Sequence, residues 1–274
     1  MSATLDVPAA ITALILLELG VGGLVLTWLA PTWGKVRHGY EFLLGGTVLL
    51  SIWGGRAALG TPLDLLREAD DATGTLISTA DQLETALLAC LGVGVLSLVA
   101  LAFKFELPAR VIGIVSALIG LYSFLLIAEL QEGLNGGTVW LGVLEFVLGA
   151  TLLGGIWTGM ILGHWYLVER KLSNKYMQWI AWMNVGAVVA GGAAILLSLT
   201  NPAPEFGQFS PLLSIGNMTL TLGLGTLALV ALIAGFNVKL ANEGGRSIQA
   251  STGMFYLAVI LAPAAEFAAK VRFF

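Results

Sequence analysis

Two carboxylates and two histidines recur in the same order in the two halves of this chain. Glu18 precedes His38-Gly39-Tyr40 by twenty residues, and Glu145 precedes His164-Trp165-Tyr166 by nineteen. Both glutamates lie inside long apolar runs, where an ionised carboxylate costs several kcal/mol unless it is paired, neutral or wet. Their expected chemistry is proton exchange, with a structural hydrogen bond between helices as the plainer alternative. Glu41 lies one turn beyond His38, while Glu129 and Glu266 are expected near the opposite membrane boundary. The five acids could form a graded protonatable set, although ordinary interfacial solvation accounts equally for Glu129 and Glu266.

His38 and His164 are the only histidines. An imidazole can exchange protons near neutral pH or ligate iron. Three readings follow: a quinone head group held between the two rings, a heme b with both as axial ligands, or two interfacial histidines in an aromatic belt. In the first, Glu41, Tyr40, Trp165 and Tyr166 line one site with His38 and His164, and Lys35 or Arg37 favours an anionic head group. Tyr176, Trp179 and Trp182 would extend the aromatic wall, which a membrane-interface belt also explains.

These residues must be positioned by helices. Eight apolar runs of about twenty residues, a length that crosses a bilayer, fall near 8–30, 39–58, 83–103, 109–130, 137–164, 176–199, 211–236 and 251–270. The chain is 57% hydrophobic and only 11% charged, too apolar for a water-facing surface. Lipid cannot satisfy backbone polar groups, and the runs lack the alternation of barrel strands, so an all-α polytopic fold is predicted. Nine of the thirteen Lys and Arg flank the 1–2, 3–4, 5–6 and 7–8 connections; Arg56, Arg67, Lys270 and Arg272 are assigned to the other side. Retention of positive charge in the cytoplasm then places both termini outward in a plasma or inner membrane. The outward 2–3 connection, with Asp64, Glu68, Asp70, Asp71 and Asp81 around Leu63, Leu65 and Leu66, is predicted to hold a short surface helix. Arg56 is expected to pair with an outer acid.

The repeated Glu and His-x-Tyr positions are four spans apart, so both halves, 1–130 and 131–274, would share one orientation. That arrangement suits two parallel four-helix bundles better than an inverted-repeat transporter. The 35 glycines recur at small-residue spacings, as around Gly149 and Gly154-Gly155 or Gly186 and Gly191-Gly192, which lets helices approach closely. The lone Cys90 excludes an intrachain disulfide and any cysteine-ligated cluster. No nucleotide-binding, metalloprotease or esterase motif occurs, and nothing points to nucleic acid.

Eight spans with paired edge histidines and buried glutamates resemble, in architecture alone, the NrfD-like quinone-interacting membrane subunits. That resemblance implies an anchor for a peripheral iron–sulfur or metallo-protein, with quinone chemistry in the membrane subunit. A transporter or channel for a small solute or ion, and a ligand-free assembly subunit, remain alternatives.

Overall fold

The computed structural model describes residues 7–30, 36, 38–70, 72–169, 171–200 and 218–270. Trp33, Lys35, Arg37, Asp71, Arg170, Arg272 and the 211–217 start of the seventh predicted span lie outside them. Eight helices make up the described chain: α1 (Val7–Leu29), α2 (His38–Glu68), α3 (Gly74–Ala102), α4 (Glu106–Asn135), α5 (Val139–Val168), α6 (Asn174–Ser198), α7 (Met218–Glu243) and α8 (Ser247–Lys270). All eight are long and apolar enough to cross a bilayer, and no strand occurs among the described residues. The protein is an all-α, multi-pass membrane protein.

Within each half, consecutive helices pack side by side and the fourth returns to the first: α1 with α2 and α4, and α5 with α6 and α8. These are two four-helix bundles. They meet along α1 and α5, with α1 also touching α8 and α5 also touching α4. Small residues make that seam possible. Gly22 faces the Ala150 carbonyl and Gly154 faces the Gly22 backbone so closely that a methyl on either would strike main chain. Leu14, Leu17, Phe146 and Phe255 join the two halves in one buried apolar cluster.

Glycine also sets two of the turns. Gly136 and Gly137 (φ 76° and 115°) connect α4 to α5, and Gly244 and Gly245 (φ 69° and 58°) connect α7 to α8; these are backbone conformations that side chains disfavour. Eight successive crossings leave both ends of the helical assembly on one face, called here the terminal face. The face holding the α1–α2, α3–α4, α5–α6 and α7–α8 connections is called the basic face.

The predicted 2–3 connection is corrected by the structure. Both helices continue through it, α2 to Glu68 and α3 from Gly74, so no separate surface helix forms. At 31 residues, α2 is about 46 Å long, well beyond the roughly 30 Å hydrocarbon core. The extension holds because Leu63 and Leu66 are buried in the same apolar cluster as Ala80 and Leu83 of α3. Arg67 donates to Asp64 of its own helix and to Asp81 and Glu84 of α3, at 2.7–2.9 Å. Polarity ended the predicted spans at the membrane boundary, but packing and ion pairs carry the helices past it. Arg56 joins the same face, with Nη2 3.7 Å from Glu84 Oε1.

Candidate functional site

Three carboxylates converge on one lysine inside the α1–α5–α8 seam. Lys270 Nζ lies 2.8 Å from Glu18 Oε1, 2.9 Å from Glu145 Oε1 and 3.9 Å from Glu266 Oε2. None of the four is more than 1% exposed. The elements explain the convergence. Glu18 is midway along α1, among buried Leu14, Leu17 and Val21. Glu145 is two turns into α5, and Glu266 and Lys270 share a face of α8 at i, i+4. Alanines 262, 265 and 269, all buried, let α8 come close. Gly149 makes room on α5: a methyl there would sit 2.5 Å from Glu18 Oε1. The Phe146 ring supplies an aromatic face 4.6 Å from the ammonium, a distance suited to a cation–π contact.

Among the described residues, three carboxylates face one ammonium in this seam. Lys270 donates a hydrogen bond to Glu145 Oε1. Its contact with Glu18 has ion-pair distance without hydrogen-bond alignment, and neither Glu266 oxygen has a hydrogen-bond partner among the described residues. Low-dielectric surroundings penalise the two surplus negative charges heavily. Protonation of Glu18 or Glu266, neither of which has a hydrogen-bond partner among the described residues, lowers that cost. Such a site can hold, surrender and retake protons.

The remaining predicted site residues divide into separate contacts near the basic face. His38 Nδ1 is 3.3 Å from Glu41 Oε2, and its Nε2 is 3.1 Å from Glu106 Oε1 at the start of α4. Exposure is graded across these three side chains: Glu41 is at 2%, His38 at 44% and Glu106 at 60%. His164 instead turns toward α8, where Nδ1 is hydrogen-bonded with the Tyr256 hydroxyl at 3.1 Å. The two histidines thus take different partners on different helices. Both ring nitrogens of His38 face carboxylates.

Tyr40 and Trp165 do come together, with ring centroids 6.4 Å apart, and Trp165 covers Gly39. The Tyr166 hydroxyl donates to the Ser173 carbonyl and accepts from the Met177 amide, so it ties the α5–α6 turn. Trp157 Nε1 donates to Thr47 Oγ1 and fastens α5 to α2. Among the described residues, no group of three His, Cys, Asp or Glu side chains is arranged to hold a metal ion.

No family model, curated protein or solved structure matches the chain.

Charge counting alone places Lys270 at the terminal face and hydropathy places Glu266 at the interface, yet both are fully buried. The available signal was the Glu266–Lys270 spacing, which puts a cation and an acid on one face of an apolar helix. Glu129 differs from Glu266 in being exposed. Asn184 on α6 carries no comparable signal in the sequence; it is buried against α5 at Gly155 and Gly159. Cys90 is buried and donates to the Ser116 carbonyl, while Ser116 Oγ donates to the Cys90 carbonyl, a reciprocal link between α3 and α4.

Proposed function

We propose that this chain is the proton-handling membrane subunit of an electron-transfer complex, embedded in a plasma or inner membrane with both termini outward. The single observation that carries the reading is the buried Lys270–Glu18–Glu145–Glu266 cluster. Three buried carboxylates around one buried ammonium support exchangeable protons there, and ionisable groups at such depth are expensive to keep without a use. Redox centres would belong to a peripheral iron–sulfur or metallo-protein docked on the complex, with lipid around the remaining surface. A quinone head group at the basic face would exchange protons with His38, Glu41 and Glu106 beside the Tyr40–Trp165 pair. What supports that part is the graded exposure of the three titratable side chains and the adjacent flat rings.

A second reading, a proton- or cation-coupled transporter, is favoured by the position of the cluster at the interface of the two halves, where transporter sites commonly lie. One purification separates the two. The protein is tagged at its N-terminus and isolated from its own membranes. An electron-transfer subunit should bring down a metallo-protein partner and extractable quinone, and quinol oxidation by these membranes should fall by about a hundredfold in Glu18→Gln and Glu145→Gln with protein levels unchanged. Purification of the chain alone, without quinone, together with full activity of both variants would overturn the proposal. Proton movement by the isolated chain in proteoliposomes, lost in Glu18→Gln, would establish the transporter instead.

A further inference from the structure

Between the Lys270 cluster and the basic face, α5 carries glycine at 149, 155, 159 and 163, and a polar side chain from a neighbouring helix meets each one. Glu18 of α1 covers Gly149. Asn184 of α6 lies across the next two, where added methyls would come 3.1 Å from its Oδ1 at Gly155, beside Ala187, and 2.7 Å from its Nδ2 at Gly159, beside the Phe255 ring. Thr252 of α8 covers Gly163, with Oγ1 2.8 Å from a methyl placed there. The next residue is His164, hydrogen-bonded with Tyr256. Polar groups from three helices thus follow one side of the bundle seam from its buried middle to its edge.

Asn184 differs from the rest of this series. It is 1% exposed, and neither its amide oxygen nor its amide nitrogen has a hydrogen-bond partner among the described residues. Thr158 Oγ1 is equally buried and equally unpartnered, and Thr158 sits on α5 between the two glycines that Asn184 covers. Buried polar groups are nearly always satisfied, by ordered water where protein offers no partner. In its glycine-lined notch the Asn184 amide alone offers donors and an acceptor for such a water, and Thr158 is a second unsatisfied group on the same stretch of α5.

We infer that Asn184 and Thr158 hold ordered water, and that this water is the middle of the proton route between the basic face and the Lys270 cluster. The route rests on the proton-handling reading above. Along α5 the notch is about 12 Å from Gly149 and about 10 Å from His164, whereas one hydrogen-bonded hop covers about 3 Å. Water must therefore extend from the notch in both directions, with Thr252 and His164 on the way to the surface. Each hop breaks one O–H bond and forms the next, so a proton taken up at one end of the file is matched by one released at the other.

High-resolution maps of the full chain in lipid nanodiscs, for wild type and Asn184→Leu, provide the first test. Density within hydrogen-bond distance of Asn184 and Thr158 is expected in wild type and should be absent in the variant; a dry notch in wild type overturns the inference. The second test follows protonated carboxyl infrared bands, assigned through Glu18→Gln and Glu266→Gln, after transfer to heavy water. Exchange should slow about tenfold or more in Asn184→Leu and stay near wild type in Asn184→Ser, which leaves space for water. An unchanged rate in Asn184→Leu overturns the route even if water is present. Absence of any band removed by the glutamate variants would instead count against the proton-handling reading, whatever the maps show in the notch.

Discussion

Lys270 and Glu18, from the last and first described helices, lie 2.8 Å apart and are both fully buried. Replacing Lys270 with Met should destabilise the protein by about 3–5 kcal/mol, the usual cost of stranding a buried charge. Adding Glu145→Gln to that variant should recover part of the loss, because one fewer carboxylate then lacks a counter-charge. Unfolding of the single and double variants in one detergent measures both effects, and a double variant no more stable than the single would contradict the pairing.

The space at Gly149 is predicted to matter only because Glu18 occupies it. Gly149→Ala should cost about 1–3 kcal/mol by overpacking and should disturb proton exchange at the cluster. Gly46→Ala meets no atom within 4 Å and should be neutral or slightly stabilising, since alanine favours helix. Equal effects of the two substitutions in thermal unfolding would remove the steric explanation.

A more severe loss is expected at the seam between the halves. A methyl on Gly22 strikes the Ala150 main chain rather than a flexible side chain, so the helices themselves must separate. Gly22→Ala should lose about 3 kcal/mol, and Gly22→Leu should fail to accumulate as folded protein. Size-exclusion chromatography and membrane yield read the outcome; a monodisperse Gly22→Leu protein of normal stability would refute the close crossing.

Arg67 fastens the part of the α2–α3 hairpin that extends beyond the hydrocarbon thickness. It is a quarter exposed and its partners more so, which limits its worth to about 1 kcal/mol. Arg67→Ala should speed proteolysis at the connection between Glu68 and Gly74, and high salt should produce a weaker version of the same effect in wild type through screening. Unchanged cleavage in both cases would mean that Leu63 and Leu66 alone hold the hairpin.

Orientation is testable independently of function. Among the described residues, Lys104, Arg110, Lys171, Lys175, Lys239 and Arg246 flank the basic face and Arg56 and Arg67 the other, with Lys270 withdrawn into the core. A reporter fused to the C-terminus should behave as exported. Cytoplasmic behaviour would reverse the assignment and put His38 and His164 outside.

Local composition determined the eight helices, because hydrocarbon forces every spanning segment to satisfy its own backbone and no other regular structure was available to runs this apolar. It also singled out Glu18 and Glu145, since a carboxylate within such a run is conspicuous wherever the helix turns. Tertiary structure alone decided what these acids face. Lys270 looked like a terminal flanking charge because its depth depends on how α8 packs against α1 and α5, and that packing depends on glycines and alanines whose partners lie more than a hundred residues away. The similar surroundings of His38 and His164 in sequence carried no information about direction: helix rotation turns one ring toward Glu41 and Glu106 and the other toward Tyr256. Asn184 was unremarkable in the chain for the same reason, as only the apposition of α6 with two glycines of α5 leaves its amide buried without a partner.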